Sequence, residues 1–169
     1  ERYISRYRSI DNKPIEDIFD YINSKFMEVR KYNPKLLKDV NYLKKNFGFT
    51  GELFLGHLRY GTFGKNSIEN CHPFLRQNNW ITRNLVVAGN FNLTNVDELF
   101  DVLLNIGQHP KEKSDTVTVL EKIGHFLDNE NSELYNKLKP QGYSNCEIYK
   151  KIASELEIDK ILKRASEDW

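Results

Sequence analysis

The sequence predicts a single α+β domain over residues 1–169, a small sheet of buried strands that is covered by helices. Apolar residues recur at helical spacing toward both ends of the chain, and two short aliphatic runs bounded by Gly and Asn lie in the middle third. No internal repeat or low-complexity linker divides the chain, which is long enough to bury a core without metals or disulfides.

Two helices are expected before the middle third. Pro14 fits a first helical turn, and the apolar residues that follow recur with a period near 3.6, which predicts a helix over about residues 14–31. Asn33 and Pro34 start a second helix by the same logic, and it ends near Gly48. Both are expected to be core-packing helices.

The middle third carries the predicted strands. They are GELFLGHLRY, residues 51–60, and NLVVAG, residues 84–89. Both runs are too brief for helices and rich enough in aliphatic residues to be buried strands. The segment between them reads as a loop-rich connection.

A third helix is expected after the second strand. Thr94 and Asp97 have the spacing of a capping box, and Gly107 follows the last apolar residue. These signals mark where that helix starts and stops.

The rest of the chain is expected to be helical. Ser114 is the predicted N-cap of a helix over residues 115–128. In the C-terminal part, residues 132–169, one or two further helices are expected, with KPQGYSN as the break between them.

Composition excludes several classes of protein. The formal net charge is +1, with 29% charged and 39% hydrophobic residues, so neither a basic nucleic-acid binder nor a disordered chain is indicated. No apolar run approaches the ~18 to 20 residues that span a bilayer, and the N-terminus lacks a signal-peptide pattern. We expect a cytoplasmic protein with no nucleic-acid or membrane partner.

Cysteine and histidine spacing predicts no metal site, and no cofactor is expected in this domain. Cys71 and Cys146 are far apart, and the four histidines show no ligand spacing. Cys71 lies in a polar loop before Pro73, where a thiol is more often packed or idle than nucleophilic.

Arg59 is the first candidate site residue, because it ends an apolar strand and precedes two glycines that let backbone approach a ligand. A guanidinium there can hold a carboxylate or phosphate with two hydrogen bonds. The alternative is an internal ion pair. Thr62 could donate to the same anion.

Two further positions could serve a site at the strand end. Asn90 and Asn92 follow the second strand, where an amide beside backbone N–H groups can stabilise an oxyanion, although the residues alone favour the alternative that both satisfy turn backbone. Asp115 starts a helix, where a carboxylate is favoured by the helix dipole regardless of function. A carboxylate and an arginine in one pocket would, however, recognise both charged ends of a free amino acid.

The order of these motifs resembles one family. GHLRYGTFG, NCHPF, GNFNLTNVDEL and SDT follow each other within residues 51–127. They resemble the class II glutamine amidotransferase domain, an αββα N-terminal-nucleophile hydrolase, and in particular that of amidophosphoribosyltransferases of a divergent, Bacteroidetes-type branch. The resemblance implies a glutaminase that supplies ammonia to purine synthesis.

The resemblance also implies roles for individual residues. Arg59 would hold the α-carboxylate of glutamine with Thr62 beside it, and Asp115 would receive the α-amino group. Asn90 would supply one half of the oxyanion hole and the backbone N–H of Phe91 the other half. Where the family has glycine this chain has Phe91, and where it has the preceding histidine this chain has Gly89.

The family's nucleophile is an N-terminal cysteine, and no cysteine precedes Arg59. We expect that the segment carrying it lies outside this chain, which makes the chain an inactive fragment; the alternative is a pseudoenzyme. The phosphoribosyltransferase domain, with phosphoribosyl pyrophosphate and Mg²⁺, is likewise expected elsewhere in a homo-oligomeric parent. Another acceptor, or a non-catalytic glutamine-binding module, remains open.

Overall fold

The computed structural model describes residues 4–58 and 67–167, which form two compact units that divide between Pro73 and Phe74. The expected single-domain organisation of residues 1–169 stays a prediction. In the described ranges no helix is long and apolar enough to cross a membrane.

The first unit is helical. Helix α1 spans Pro14–Tyr32 and confirms the first predicted helix. The second predicted helix is wrong as a continuous element, because a 3₁₀ turn, Pro34–Lys38, is followed by a short helix α2, Val40–Asn46. Between them Asp39 is extended, and its carboxylate accepts a hydrogen bond from the N–H of Tyr42 at 2.9 Å. A short acidic side chain that caps a new helix ends the preceding one.

The predicted strand over residues 51–60 is not formed in its described part. Residues 51–58 have no strand partner, and the side chains of Leu53 and Phe54 are 92% and 68% exposed. A strand needs a neighbour to satisfy its backbone N–H and C=O groups, and none of the described residues pairs with this one. The expectation of a buried strand here is therefore wrong.

The second unit contains a two-stranded antiparallel sheet. Strand β1, Phe74–Arg76, pairs with β2, Leu85–Val87, so that Phe74 lies opposite Val87 and Arg76 opposite Leu85. Strand β2 confirms the strand predicted within residues 84–89. Strand β1 lies in the segment that the sequence predicted as a loop, since three residues are too few to show periodicity. Helices with a small sheet agree with the α+β class.

Helix α3 spans Val96–Asn105 and ends as predicted, with Gly107 at a φ of +87°. The predicted capping box is wrong. Asn95 is the N-cap and makes no side-chain cap hydrogen bond. The carboxylate of Asp97 lies 2.6 Å from Nζ of Lys113 and makes an ion pair with it.

Helix α4 spans Asp115–Leu138, ten residues more than predicted. Its N-cap is Ser114, as expected, and the hydroxyl accepts a hydrogen bond from the N–H of Val117 at 3.3 Å. With a rise of about 1.5 Å per residue the helix is about 36 Å long, and it is the element on which the second unit is built.

The break at KPQGYSN is confirmed. A 3₁₀ turn, Lys139–Gln141, ends at Gly142, whose φ of +85° suits glycine. Helices α5, Asn145–Glu155, and α6, Ile158–Ser166, follow. A buried cluster joins α5 to the end of α4; its members are Leu138, Ile148 and Ile152.

We predict that Ser114→Ala lowers the free energy of unfolding by about 1 kcal/mol, because the N–H of Val117 loses its acceptor. Urea denaturation followed by circular dichroism measures the change. The control is Ser154→Ala, at an exposed position inside α5 where alanine favours the helix. Equal losses in both variants would contradict the capping role.

Candidate functional site

Asp115 is the best-defined member of the predicted site. It is the first residue of α4, where the helix dipole favours a negative charge. Its Oδ2 accepts a hydrogen bond from the backbone N–H of Leu93 at 3.2 Å, and the side chain is half-buried. The segment that follows β2 is therefore tied to the start of α4.

Asn90 and Phe91 lie on this tied segment, two or three residues before Leu93. Asn90 is exposed, so its amide is open to solvent or to a ligand. The structure thus brings together three of the predicted residues in one unit. The other two, Arg59 and Thr62, lie outside the described residues.

The ring of Phe91 packs against the backbone of Gly89. A Cβ added at Gly89 would lie 2.5 Å from Cζ of that ring, closer than atoms can approach. Two of the departures from the family pattern, Gly89 where the family has histidine and Phe91 where it has glycine, are therefore parts of one packing arrangement. Since Phe49 is the one non-glycine residue with a positive φ in the described ranges, Phe91 keeps an ordinary backbone conformation.

Cys71 is a packed thiol. Its Sγ lies 3.9 Å from the carbonyl oxygen of Ser9 and 3.7 Å from that of Ser67. Both contacts are within the first unit and give it a structural surrounding. Cys146 is exposed on α5.

Sequence reasoning missed Arg76, the last residue of β1. Its Nε donates to Oε2 of Glu121 at 3.1 Å, and its Nη2 donates to Oδ2 of Asp128 at 2.5 Å. Between these carboxylates, a Cβ at Gly124 would lie 2.6 Å from Cδ and Nε of the arginine. We call Arg76 with Glu121, Gly124 and Asp128 the Arg76 clamp.

The Arg76 clamp fixes the sheet on the helix. Burial lowers the pKa of Arg76, but the hydrogen bonds and charges of Asp128 and Glu121 more than offset this, so that its pKa is raised above the ordinary value. The guanidinium therefore stays charged, and its side chain is 19% exposed. The spacing of Glu121, Gly124 and Asp128, which places them on one helix face, is the signal that could have found it.

The clamp connects indirectly to the candidate site. Arg76 holds β1 on the middle of α4, and β1 is hydrogen-bonded to β2. The tied segment with Asn90 leaves the end of β2, and Asp115 starts α4. The sheet and the segment that follows it are thus joined to α4 at two points, through Arg76 and through the hydrogen bond between Leu93 and Asp115.

Comparison with known proteins gives one family and several relatives. The profile of the family described as "Glutamine amidotransferases class-II" matches residues 25–155. The chain is 31% identical over 121 residues to the glutamine--fructose-6-phosphate aminotransferase (isomerizing) of Sulfurisphaera tokodaii, which covers 72% of the chain and 19% of that relative. It is 33% identical over 89 residues to the amidophosphoribosyltransferase of Archaeoglobus fulgidus, which covers 53% of the chain and 19% of that relative.

A shorter match adds to these. The chain is 40% identical over 57 residues to the amidophosphoribosyltransferase of Methanocaldococcus jannaschii, which covers 34% of the chain and 11% of that relative. The chain thus spans about a fifth, or less, of the length of these relatives. No solved structure matches it at a significant level.

The clamp predicts that Gly124→Ala destabilises the protein, although alanine favours a helix by about 1 kcal/mol over glycine. The added Cβ would push Arg76 away from Glu121 and Asp128. In an Arg76→Ala background the same change should instead stabilise by about 1 kcal/mol, because only the helix preference remains.

Urea unfolding of the four proteins in this cycle measures both effects. Gly124→Ala with the same sign in both backgrounds would contradict the clamp.

Proposed function

The chain belongs to the class II glutamine amidotransferases, as its motifs predicted, and we propose that it is the glutamine-hydrolysing part of an amidophosphoribosyltransferase-like enzyme in purine synthesis. Members of this family bind glutamine. The proposal for the acceptor is supported by the order of the four motifs and by the relatives named amidophosphoribosyltransferase.

The proposed site rests on the hydrogen bond that the backbone N–H of Leu93 donates to the carboxylate of Asp115. It places a carboxylate beside the segment with Asn90 and Phe91. In our proposal the second carboxylate oxygen of Asp115 receives the α-ammonium group of glutamine, while Arg59 holds the α-carboxylate with Thr62 beside it. A substrate held at both charged ends presents its side-chain amide in one orientation.

The chemistry proposed for the bound amide is acyl transfer to a thiolate. Sulfur attacks the amide carbon, and the oxyanion that forms accepts hydrogen bonds from the Asn90 amide and the N–H of Phe91. The intermediate collapses as the C–N bond breaks; the leaving nitrogen takes a proton and departs as ammonia. Water then hydrolyses the thioester to glutamate and restores the thiol.

The thiol itself is proposed to come from the parent protein. The chain holds two cysteines, Cys71 and Cys146, and both follow Arg59 in sequence. Cys71 lies against two backbone carbonyls and Cys146 is exposed on a helix, so neither is assigned this role.

Phosphoribosyl pyrophosphate and Mg²⁺ are placed with the acceptor half of the parent protein, which we propose acts as a homo-oligomer in the cytoplasm. In the part of the chain that the structure describes, no group of three or more His, Cys, Asp or Glu side chains could hold such an ion.

A hexose-phosphate acceptor is the second candidate. Its support is that the relatives named for fructose-6-phosphate cover 72% and 73% of the chain, against 53% for the Archaeoglobus amidophosphoribosyltransferase. The same glutamine site would serve either acceptor. A non-catalytic glutamine-binding module is the third.

We predict that Arg59→Ala in the parent enzyme lowers kcat/KM for glutamine about 10- to 100-fold, mainly through KM, while activity with free ammonia is retained, because a charge-assisted pair is lost. Arg59→Lys should recover part of the loss, since charge remains but the two-pronged grip does not. Steady-state kinetics with glutamine and with ammonia as nitrogen donors measures these effects. Equal loss with ammonia would reject the assignment.

The Asp115→Asn variant distinguishes a role of this residue in glutamine binding from a role in helix stability. The amide oxygen can still accept the hydrogen bond from Leu93, but the charge that receives the α-ammonium group is gone. We expect KM for glutamine to rise about tenfold or more, while the free energy of unfolding falls only by the about 0.3–1 kcal/mol that a charge at the helix start contributes. A variant that loses stability and keeps its KM would show that Asp115 is only a helix-start residue.

A further inference from the structure

A cavity of about 440 Å³ lies in the second unit, between the turn after β1 and the last third of α4. This volume is within the range of pockets that hold small molecules. We call it the corner cavity, and it is lined by Asn78, Trp80, Arg83, Ser132, Tyr135 and Asn136.

Two aromatic rings form the corner. The rings of Trp80 and Tyr135 have centroids 5.9 Å apart and planes at 79°, so they meet almost at a right angle. Trp80 is 37% exposed, and the guanidinium carbon of Arg83 lies 5.8 Å from the centre of its ring. A flat ring that packs against one of these surfaces would present its edge to the other, which is a favoured aromatic geometry.

The turn that carries Trp80 is held before any ligand arrives. Oδ1 of Asn78 accepts a hydrogen bond from the N–H of Trp80 at 2.9 Å, and Oδ1 of Asn84 accepts one from the N–H of Asn78 at 2.6 Å. The first of these bonds, from a backbone N–H to a side-chain oxygen two residues earlier, closes an Asx turn. The aromatic corner is therefore preorganised, which reduces the cost of binding.

The charges beside the corner cavity compensate each other. Arg83 lies 3.6 Å from Asp128, which also holds Arg76, and Arg76 holds Glu121. Two arginines and two carboxylates sum to zero. Because Asp128 compensates the charge of Arg83, this residue of the lining offers a charged ligand little net attraction.

Polar capacity remains on the lining. Nη2 of Arg83 donates to Oγ of Ser132 at 3.1 Å and its Nε is buried, so the remaining N–H groups of the guanidinium are the donors that Arg83 can offer from the lining. Asn136 is exposed and offers an amide with both donors and an acceptor. These groups match a ligand whose edge carries a carbonyl oxygen and an N–H.

The corner cavity is separate from the candidate glutamine site. Asp115 starts α4, and Ser132 lies 17 positions further along the same helix, which corresponds to about 26 Å at a rise of 1.5 Å per residue. Glutamine carries an α-ammonium and an α-carboxylate group, and two such charges do not suit an aromatic corner.

We propose that the corner cavity is a second ligand site that binds a small neutral molecule with a planar ring and a carboxamide-like edge. The ring packs in the corner of Trp80 and Tyr135, and the edge bonds to the amide and guanidinium groups on the lining. This assignment does not depend on the amidotransferase activity.

The test uses the 169-residue chain and three probes in saturation-transfer NMR. Benzamide has the ring and the neutral amide; benzoate has the ring with a charge; cyclohexanecarboxamide has the amide without a planar ring. We expect benzamide to bind in the millimolar range, as befits a ligand of few atoms, and the other two to bind at least about tenfold more weakly.

Variants locate the binding. Trp80→Ala and Tyr135→Ala should each weaken benzamide about tenfold, since each removes one wall of the corner. Tyr32→Ala is the matched control, because this tyrosine is 89% exposed on α1 in the other unit. Absence of benzamide transfer, equal binding of benzoate or cyclohexanecarboxamide, or binding that survives both corner variants overturns the proposal.

Discussion

The interaction on which the second unit depends is the contact of Arg76 with α4. The carboxylates of Glu121 and Asp128 both bind the guanidinium of Arg76, and Gly124 leaves space for this side chain. Removing one member of such a half-buried set would leave uncompensated charge against the helix. A sheet of two three-residue strands is not stable alone. The ion pairs of Arg76 with α4 therefore contribute stability that the small sheet lacks.

The sequence predicted where helices begin better than how long they are. Pro14 and Ser114 were correct as start signals because each acts locally on backbone groups. The far end of α4 was missed because buried polar residues, Glu130 and Asn131, interrupt the apolar period on which the prediction relied. Tertiary packing buries them, and no local pattern contains that information.

The candidate site was predictable to a different degree. The family motifs selected Asn90 and Asp115 by position, and the hydrogen bond of Asp115 to Leu93 accounts for why these segments meet. The motifs could not explain Phe91. Its ring occupies the space that a side chain at position 89 would fill, so the two changes depend on each other. A comparison that takes one position at a time treats them as two separate changes.

The helical end of the chain has a consequence for folding order. The contacts that join α4 to α5 and α6 close short loops, and the buried cluster of Leu138, Ile148 and Ile152 spans only fifteen sequence positions. Low contact order of this kind lowers the entropy that must be lost before contacts form. In a chain that refolds from the denatured state, this end can therefore condense without waiting for residues 51–58, and its amides would be the first to resist hydrogen exchange.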